Sequence, residues 1–188
     1  MGAESEVSFG DLDGTNVRVG IIKTRWNSVH VNNLVNGAKQ ALKACNVTDE
    51  NIFETEVPGA YELPLAARFL ALSGTVDAVI CAGVLIKGDT LHFEYICEAV
   101  SSGIMSVGLQ TSTPVIFGVL TCLDEEQVIK RSTGDNNHGD SWGKTAVEMA
   151  LLRRDALGGG KMTTMGFGTS DAVGDKAAPK KPERIGFF

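Results

Sequence analysis

The segment between Gly88 and His92 carries residue types that could hold an anion and move a proton. Gly88, Asp89 and Thr90 separate an apolar run from a stretch of helical period. At such a junction the backbone N–H groups and the helix dipole favour an anion, although Asp89 and Thr90 are also common helix caps. His92 falls in the first turn, where the dipole disfavours the imidazolium and a neutral ring can accept a proton. A capping or surface histidine is the alternative interpretation.

Three other residues have side chains suited to ligand binding. Trp26 follows the first apolar run in a polar setting (TRWN), where its ring either stacks on a flat heterocycle or packs against the protein. Glu62 follows Pro-Gly-Ala-Tyr, and it either hydrogen-bonds a ligand or favours the start of a helix. Arg131 ends a short helical stretch, where it either binds a ligand or only complements the helix dipole. We expect His30 and His138 to face solvent.

Composition and charge exclude several classes of function. The chain has 188 residues and a net charge of −6, and residues 159–188 carry +2, which leaves an acidic body. Such a body argues against nucleic acid or an anionic membrane as the principal partner. No apolar run approaches the roughly 20 residues of a membrane span, and the first ten residues contain no basic residue of a targeting sequence. We therefore predict a cytoplasmic protein.

The cysteines indicate neither a disulfide framework nor a metal site. They lie far apart, with no CxxC pair and no histidine at metal-ligand spacing: Cys45, Cys81, Cys97 and Cys122. Three of them fall in apolar segments, where a buried thiol behaves as a small hydrophobic group. The chain also lacks the GxxxxGK[ST] sequence of a Walker A loop.

The elements that must position these residues alternate between strand and helix. Four apolar segments rich in β-branched residues predict strands at residues 17–23, 52–57, 78–86 and 114–121. Helical patterns follow at residues 28–44, from Pro64, from the 88–90 break to about 107, at 124–130 and at about 142–154. Ser28 and Asp124 are the expected caps of two of these helices. The alternation predicts a single α/β domain, a three-layer α/β/α sandwich around a four-stranded parallel sheet.

Open parallel sheets bind ligands at the carboxyl ends of their strands. Four segments of this chain are predicted to converge there: residues 24–27, 58–62, 83–92 and the segment from Phe117 onward. The predicted domain occupies residues 17–157. Residues 1–16 are predicted to be a flexible segment, and residues 158–188, which contain seven Gly and no helical stripe, a disordered tail.

Four sequence blocks stand in the order found in one protein family. They are VPGAYELPLAA (57–67), GVLIKGDTLHFEYICEAVSSGI (83–104), TPVIFGVLTCLDEEQ (113–127) and NHGDSWGKTAVEMALL (137–152). Together they resemble lumazine synthase (6,7-dimethyl-8-ribityllumazine synthase). The resemblance runs from about residue 17 to residue 152, and the third and fourth blocks are most similar to the fungal and plant branches.

The resemblance implies a flavodoxin-like fold and a condensation reaction. In it, 5-amino-6-(D-ribitylamino)uracil reacts with 3,4-dihydroxy-2-butanone 4-phosphate to give 6,7-dimethyl-8-ribityllumazine in riboflavin biosynthesis, releasing phosphate and water. The family's reaction uses no metal or organic cofactor. The family also implies a homo-oligomer, above all a pentamer, with active sites at subunit interfaces, and it allows riboflavin as a further ligand.

The resemblance assigns one group of residues to the pyrimidine and its ribityl chain. These are Trp26, Ala60, Tyr61, Glu62, Val84, Leu85 and Ile86. Trp26 would stack on the ring, in a position where the family more often has Phe. Residues 60–62 would line the ribityl side, and residues 84–86 would present backbone groups to the heterocycle.

A second group matches the family's phosphate side. Asp89 and Thr90 would hold the phosphate together with Arg131, and His92 would transfer protons. Asp89 places a carboxylate beside an anion, which requires its side chain to turn away. Phe117 and Arg131 would come from the neighbouring subunit. Many relatives carry a Lys where this chain has Asn-Asn-His at residues 136–138.

Two alternatives from other classes of protein stand beside the enzyme. One is a noncatalytic flavin-binding module of flavodoxin-like fold, which turnover of the two substrates would distinguish from a synthase. The other is an assembly protein that kept the fold without activity. The presence of Glu62, His92 and Arg131 together argues against the second.

Overall fold

A four-stranded parallel sheet forms the centre of the molecule in the computed structural model, which describes residues 7–158. Its strands are β1 (Val19–Thr24), β2 (Ile52–Val57), β3 (Ala78–Ile86) and β4 (Val115–Cys122). They lie in the order β2-β1-β3-β4, and each neighbouring pair is parallel. This is the order of a doubly wound, flavodoxin-like sheet, so the predicted fold class is confirmed.

Five α-helices cover the two faces of the sheet in the described part of the chain. They are α1 (Ser28–Ala44), α2 (Leu63–Leu72), α3 (His92–Thr111), α4 (Glu125–Ser132) and α5 (His138–Leu157). Buried residues of α1, α4 and α5 form one core cluster with the sheet, and those of α2 and α3 form the other. The two clusters are the outer interfaces of a three-layer sandwich.

Strand β3 is central and is covered on both faces. Its sequence AVICAGVLI is apolar without alternation, as a parallel strand between two helix layers requires, and its first seven residues are buried. Ile80 contributes to one core cluster, while Val79 and Cys81 contribute to the other. The predicted range of β3 is confirmed, and its buried body fixes where the carboxyl end of the sheet lies.

The prediction that Ser28 caps α1 is wrong. Ser28 is the first helical residue, and the cap position belongs to Asn27, which has a left-handed backbone (φ 56°). The Asn27 side chain makes no capping bond; its Nδ2 donates instead to the carbonyl of Val84, 2.9 Å away. A tertiary hydrogen bond between the start of α1 and β3 has therefore replaced the local one.

The start of α4 agrees with the prediction, whereas α5 and α3 begin at other residues than predicted. Asp124 caps α4 as predicted, since its Oδ1 accepts a hydrogen bond of 2.8 Å from the Gln127 N–H. Helix α5 begins at His138 rather than near Trp142, because Asn137 Oδ1 accepts the Gly139 N–H at 2.8 Å and starts the helix earlier. Helix α3 begins at His92, after the 88–90 break rather than within it.

The described residues before β1 pack against the rest of the domain. The Gly14 N–H donates to the carbonyl of Cys45 at 2.6 Å, and Leu12 packs against the core cluster of α1 and α5. The start of the domain at residue 17 stays a prediction. The predicted tail falls almost entirely on residues 159–188, which lie outside the described residues.

The cysteines are all free thiols, and three of them are buried: Cys45, Cys81 and Cys122. Burial raises the pKa of Cys81 to about 12, which leaves no thiolate at neutral pH. No group of three or more His, Cys, Asp or Glu side chains among residues 7–158 is arranged to hold a metal ion. In the same range, no helix combines the length and the apolar character needed to cross a bilayer.

Candidate active site

A cleft of about 460 Å³ opens at the carboxyl end of the sheet. It lies between the ends of β1, β2 and β3 and the start of α3. The residues that line it are Trp26, Asn27, Gly59, Ala60, Tyr61, Glu62, Val84, Leu85, Ile86, Gly88, Thr90, His92, Phe93 and Ile96. Nine of the twelve predicted site residues therefore meet in one place, although their segments are separated in the sequence.

The Trp26 side chain stands open at the mouth of the cleft. It is 74% exposed, so the indole is not a packing residue of this chain. Its main chain is held firmly, since the Arg25 N–H donates to Val57 O at 3.0 Å and the buried Thr24 hydroxyl donates to Trp26 O at 3.3 Å. A fixed backbone with a free ring face suits stacking on a flat ligand.

The turn after β2 brings Glu62 close to Trp26. One carboxylate oxygen of Glu62 accepts a hydrogen bond of 2.9 Å from the Gly59 N–H, which closes the turn before α2. A Cβ on Gly59 would lie 3.3 Å from that oxygen and 3.5 Å from the Trp26 ring. A side chain at this position would therefore crowd the Glu62 carboxylate but only touch the Trp26 ring, and Glu62 serves the turn as well as the cleft.

The floor of the cleft is the end of β3, and one of its walls is the first turns of α3. Val84 is buried, and its carbonyl accepts the Asn27 amide. Phe93 and Ile96 add apolar surface from α3. An apolar wall with a few polar groups at one end is the usual lining of a small-molecule site, and here it suits a flat heterocycle.

An exposed loop joins this floor to the histidine. The Lys87 N–H still pairs with Cys122 O at 3.0 Å, so the ladder between β3 and β4 ends there. The His92 N–H then donates to the Thr90 hydroxyl at 3.4 Å. Lys87 Nζ lies 2.6 Å from Glu94 Oε1 and bridges the two ends of the loop. The Lys87 hydrogen bond lowers the pKa of Glu94, which keeps the pair charged.

Residues 7–158 place no fixed cation in the cleft. None of the residues lining it is Lys or Arg, and Lys87 is already paired with Glu94. An anion at the loop would therefore meet backbone N–H groups, the Thr90 hydroxyl and His92. Asp89 is exposed and is not a lining residue, which agrees with a carboxylate turned away from the anion.

Arg131 and Phe117 lie apart from this cleft. Arg131 is near the end of α4, and its Nη1 donates to Gln127 O at 3.1 Å. Phe117 pairs in register with Cys81, well below the carboxyl end of β3, and lines a separate apolar groove with Met105 and Leu109. The prediction that the segment from Phe117 onward joins the cleft is therefore wrong within one chain.

The prediction that His30 and His138 face solvent is also wrong. The His30 side chain is 15% exposed, because α1 packs against α4 at this point. His138 is the first residue of α5 and is partly buried. The 136–138 segment has a structural role, since Asn137 both caps α5 and donates to Asn33 O at 2.9 Å.

Sequence reasoning missed Phe93 and Ile96, and it assigned no role to Asn27 and Gly59, which lie in the predicted segments 24–27 and 58–62. Three signals pointed to these lining residues. Asn27 follows Trp26 directly in TRWN. Phe93 and Ile96 stand next to and four residues after His92, a spacing that places Ile96 on the same helix face as the histidine. Gly59 carried a signal as well, since Pro-Gly marks a turn.

Comparisons with known proteins point to one family. The profile of the family described as 6,7-dimethyl-8-ribityllumazine synthase matches residues 16–154. A 6,7-dimethyl-8-ribityllumazine synthase from Pyricularia oryzae is 39% identical over 186 residues, covering 78% of this chain and 93% of the relative. One from Schizosaccharomyces pombe is 49% identical over 144 residues, covering 75% of this chain and 91% of the relative.

Proposed function

The chain belongs to the 6,7-dimethyl-8-ribityllumazine synthase family of riboflavin biosynthesis, and we propose that it carries out the family's condensation in the cleft at the carboxyl end of the sheet. The amine of 5-amino-6-(D-ribitylamino)uracil and the ketone of 3,4-dihydroxy-2-butanone 4-phosphate form an imine, losing water. The imine tautomerises, phosphate leaves, and a second condensation, which also releases water, closes the ring. The observation that carries this proposal is the meeting of Trp26, Thr90 and His92 in one cleft.

The lining of the cleft supports a division into two sides. The pyrimidine stacks on the exposed indole of Trp26, beside the ends of β2 and β3. Its ribityl chain runs along residues 60–62, and backbone groups of residues 84–86 face the ring. Asp89 contributes its backbone and Thr90 its hydroxyl to the phosphate. His92, in the first turn of α3, exchanges protons with the reacting amine and ketone.

Positioning supplies most of the rate in this proposal. Holding two reactants in a productive geometry contributes up to about 7–11 kcal/mol. One acid–base residue raises the rate by a factor of about 10²–10⁴, which corresponds to roughly half of that free energy or less. The exposed His92 side chain fits the smaller contribution.

A neighbouring subunit completes the phosphate side. The cleft of one chain has no fixed cation, whereas Arg131 lies outside the cleft with only the Gln127 carbonyl as its hydrogen-bond partner at Nη1. Phe117 is 40% exposed on an edge strand. Both residues are placed to serve another copy of the chain, and inorganic phosphate is the product released there.

Exposed apolar side chains on α2 and α3 support assembly into a homo-oligomer. They include Leu65, Phe69, Leu72, Tyr95, Met105 and Leu109. Apolar surface on this scale marks an interaction site in a protein that does not aggregate. We propose a cytoplasmic homopentamer with its active sites between adjacent subunits.

Mixing the purified protein with both substrates tests the proposal. The absorption band of the lumazine should grow together with stoichiometric release of phosphate. Binding of riboflavin without any turnover would favour the noncatalytic flavin-binding module instead. The family match and the nine predicted site residues that meet in the cleft favour the enzyme.

A further inference from the structure

We propose that His30 is a positioning residue that holds helix α4 so that Arg131 can bind phosphate. The inference rests on the proposed function, which assigns Arg131 to the phosphate side of a neighbouring subunit's site. His30 does not line the cleft of its own chain; in this proposal it acts through α4.

Helix α4 needs contacts from outside itself to stay in place. It is eight residues long, and isolated helices shorter than about 12–15 residues are only marginally stable. Only Val128 and Ser132 of this helix are buried. The position of Arg131 therefore depends on the buried Val128 and on the contacts that hold the two ends of α4.

His30 reaches both ends of α4 from its place on α1. Its Nε2 lies 3.4 Å from Oε1 of Glu125, the first residue of α4. Its Nδ1 lies 3.4 Å from Oγ of Ser132, the last residue of α4. One neutral tautomer satisfies both contacts: the Ser132 hydroxyl donates to Nδ1, and the Nε2–H donates to the Glu125 carboxylate.

The contact with Ser132 is the more important of the two. Ser132 is fully buried, whereas the Glu125 side chain is 70% exposed and competes with water. Both contacts are long for hydrogen bonds, so each contributes modestly. Without the imidazole, the buried Ser132 hydroxyl would lose a partner that water does not easily replace.

A second link joins the end of α4 to α1. The Asn137 amide donates to the carbonyls of both Ser132 (3.3 Å) and Asn33 (2.9 Å). His30 therefore fixes the side chain of the residue that follows Arg131, and Asn137 fixes its main chain. Because small misplacements at a reacting centre can cost up to about 10²-fold in rate, a shift of this helix end should weaken phosphate binding.

The test compares His30→Leu with wild type and with Asn36→Ala, an exposed control on the same helix. The KM for the phosphorylated butanone and the inhibition constant of inorganic phosphate should both rise about two- to tenfold in His30→Leu, the range expected for one lost hydrogen bond. The KM for the pyrimidine should not change. Ser132→Ala should act in the same direction, and His30→Gln, which can keep one of the two contacts, should lie between. These two variants carry the test if His30→Leu does not fold.

The Arg131→Ala background separates positioning from general weakening of the protein. If His30 acts through Arg131, adding His30→Leu to Arg131→Ala should leave the KM for the phosphorylated substrate unchanged. An equal rise in both backgrounds, or a rise in both KM values, would overturn the inference. If wild type forms no lumazine at all, the proposed function fails; if wild type is active and His30→Leu matches it, only the inference fails.

Discussion

At the scale of single residues, the charge of the cleft predicts which side chains contribute most to turnover. The leaving phosphate needs a fixed cation, and the described part of one chain offers none in its own cleft. His92 is exposed, so water can take over part of its proton transfer.

We therefore expect Arg131→Ala to lower turnover more than His92→Ala. The loss in His92→Ala should be at the low end for acid–base groups, about 10²-fold or less. Steady-state kinetics measure the turnover of the two variants, and circular dichroism shows whether both fold. A larger loss in His92→Ala would mean that proton transfer, not positioning, provides most of the rate.

The two tryptophans should respond differently to ligand. Trp26 is 74% exposed at the cleft, whereas Trp142 packs against the core beside Gly118. Riboflavin or the lumazine product should quench Trp26 fluorescence, and Trp26→Ala should weaken binding by about 1–3 kcal/mol, the scale of stacking on an aromatic ring. Calorimetry measures the affinity, and Trp142→Phe is the control, since most of the quenching should survive in it. Unchanged affinity in Trp26→Ala would exclude the stacking role.

At the scale of elements, one ion pair joins the starts of β1 and β3. Asp77 accepts hydrogen bonds from the backbone N–H (2.9 Å) and the guanidinium (2.9 and 3.2 Å) of Arg18. Burial raises the pKa of Asp77, but the bonds from Arg18 outweigh it, so the pKa lies below its ordinary value of 3.8. A carboxyl group with a lowered pKa in the folded state stabilises the protein above its unfolded pKa, and this stabilisation is lost as the pH falls.

Asp77→Asn should therefore lower the free energy of unfolding at pH 7 by roughly 1 kcal/mol, a value reduced because the pair is partly exposed. The difference from wild type should shrink as the pH falls below the ordinary value of 3.8. Urea unfolding at neutral and acid pH measures it, and Asp135→Asn, at an exposed position, is the control. A difference that is the same at both pH values would show that Asp77 acts through something other than its charge.

The crossing of α1 and α5 depends on glycine. A Cβ on Gly143 would lie 2.6 Å from Ala38 O and 2.8 Å from Ala41 Cβ. Gly143→Ala would gain at most about 1 kcal/mol of helix propensity, whereas forcing two backbones apart costs about 1–3 kcal/mol. The variant should therefore be less stable in urea unfolding, while Gly10→Ala, which has no atom within 4 Å, should match wild type. A stabilised Gly143→Ala would mean that the helices separate easily.

At the scale of the whole molecule, activity should require a ring. The cleft lies at one end of β3, while Phe117 lies on the edge strand and Arg131 on α4. The protein should be inactive as a monomer and active as an oligomer, which we expect to be a pentamer. Sedimentation combined with activity measurements tests this, and full specific activity in an isolated monomer would contradict it.

Mixing two variants with strongly reduced activity tests whether the site is shared. One variant carries Arg131→Ala, and the other carries His92→Ala together with Trp26→Ala. After dissociation and reassembly, some interfaces would combine an intact Arg131 with an intact His92 and Trp26, and part of the activity should return. Each variant reassembled alone is the control. Rings shown to contain both variants, but no more active than either variant alone, would rule out a site shared between subunits.

The layers of this protein and the location of its cleft could be predicted from local sequence patterns. The apolar run of β3 and the alternation of strand and helix are local patterns, and a parallel sheet brings the carboxyl ends of its strands to one edge. The ranges of β2 and β3 were predicted to the residue. The segments that hold nine of the predicted site residues could be placed for the same reason, since they form or directly follow the carboxyl ends of strands. The role of each residue was implied by the family resemblance.

The hydrogen bonds between polar groups that are distant in the sequence could not be predicted and are seen only in the folded chain. Asn27 bonds to Val84, and Asn137 bonds to Asn33, across 57 and 104 residues respectively. His30 has the sequence context of an exposed helix position, yet α4 covers it. The spacing of apolar residues along the sequence indicates which face of an element is buried. Hydrogen bonds between distant residues depend instead on how two elements pack against each other. The caps of α1 and α5 and the environment of His30 therefore had to come from the fold.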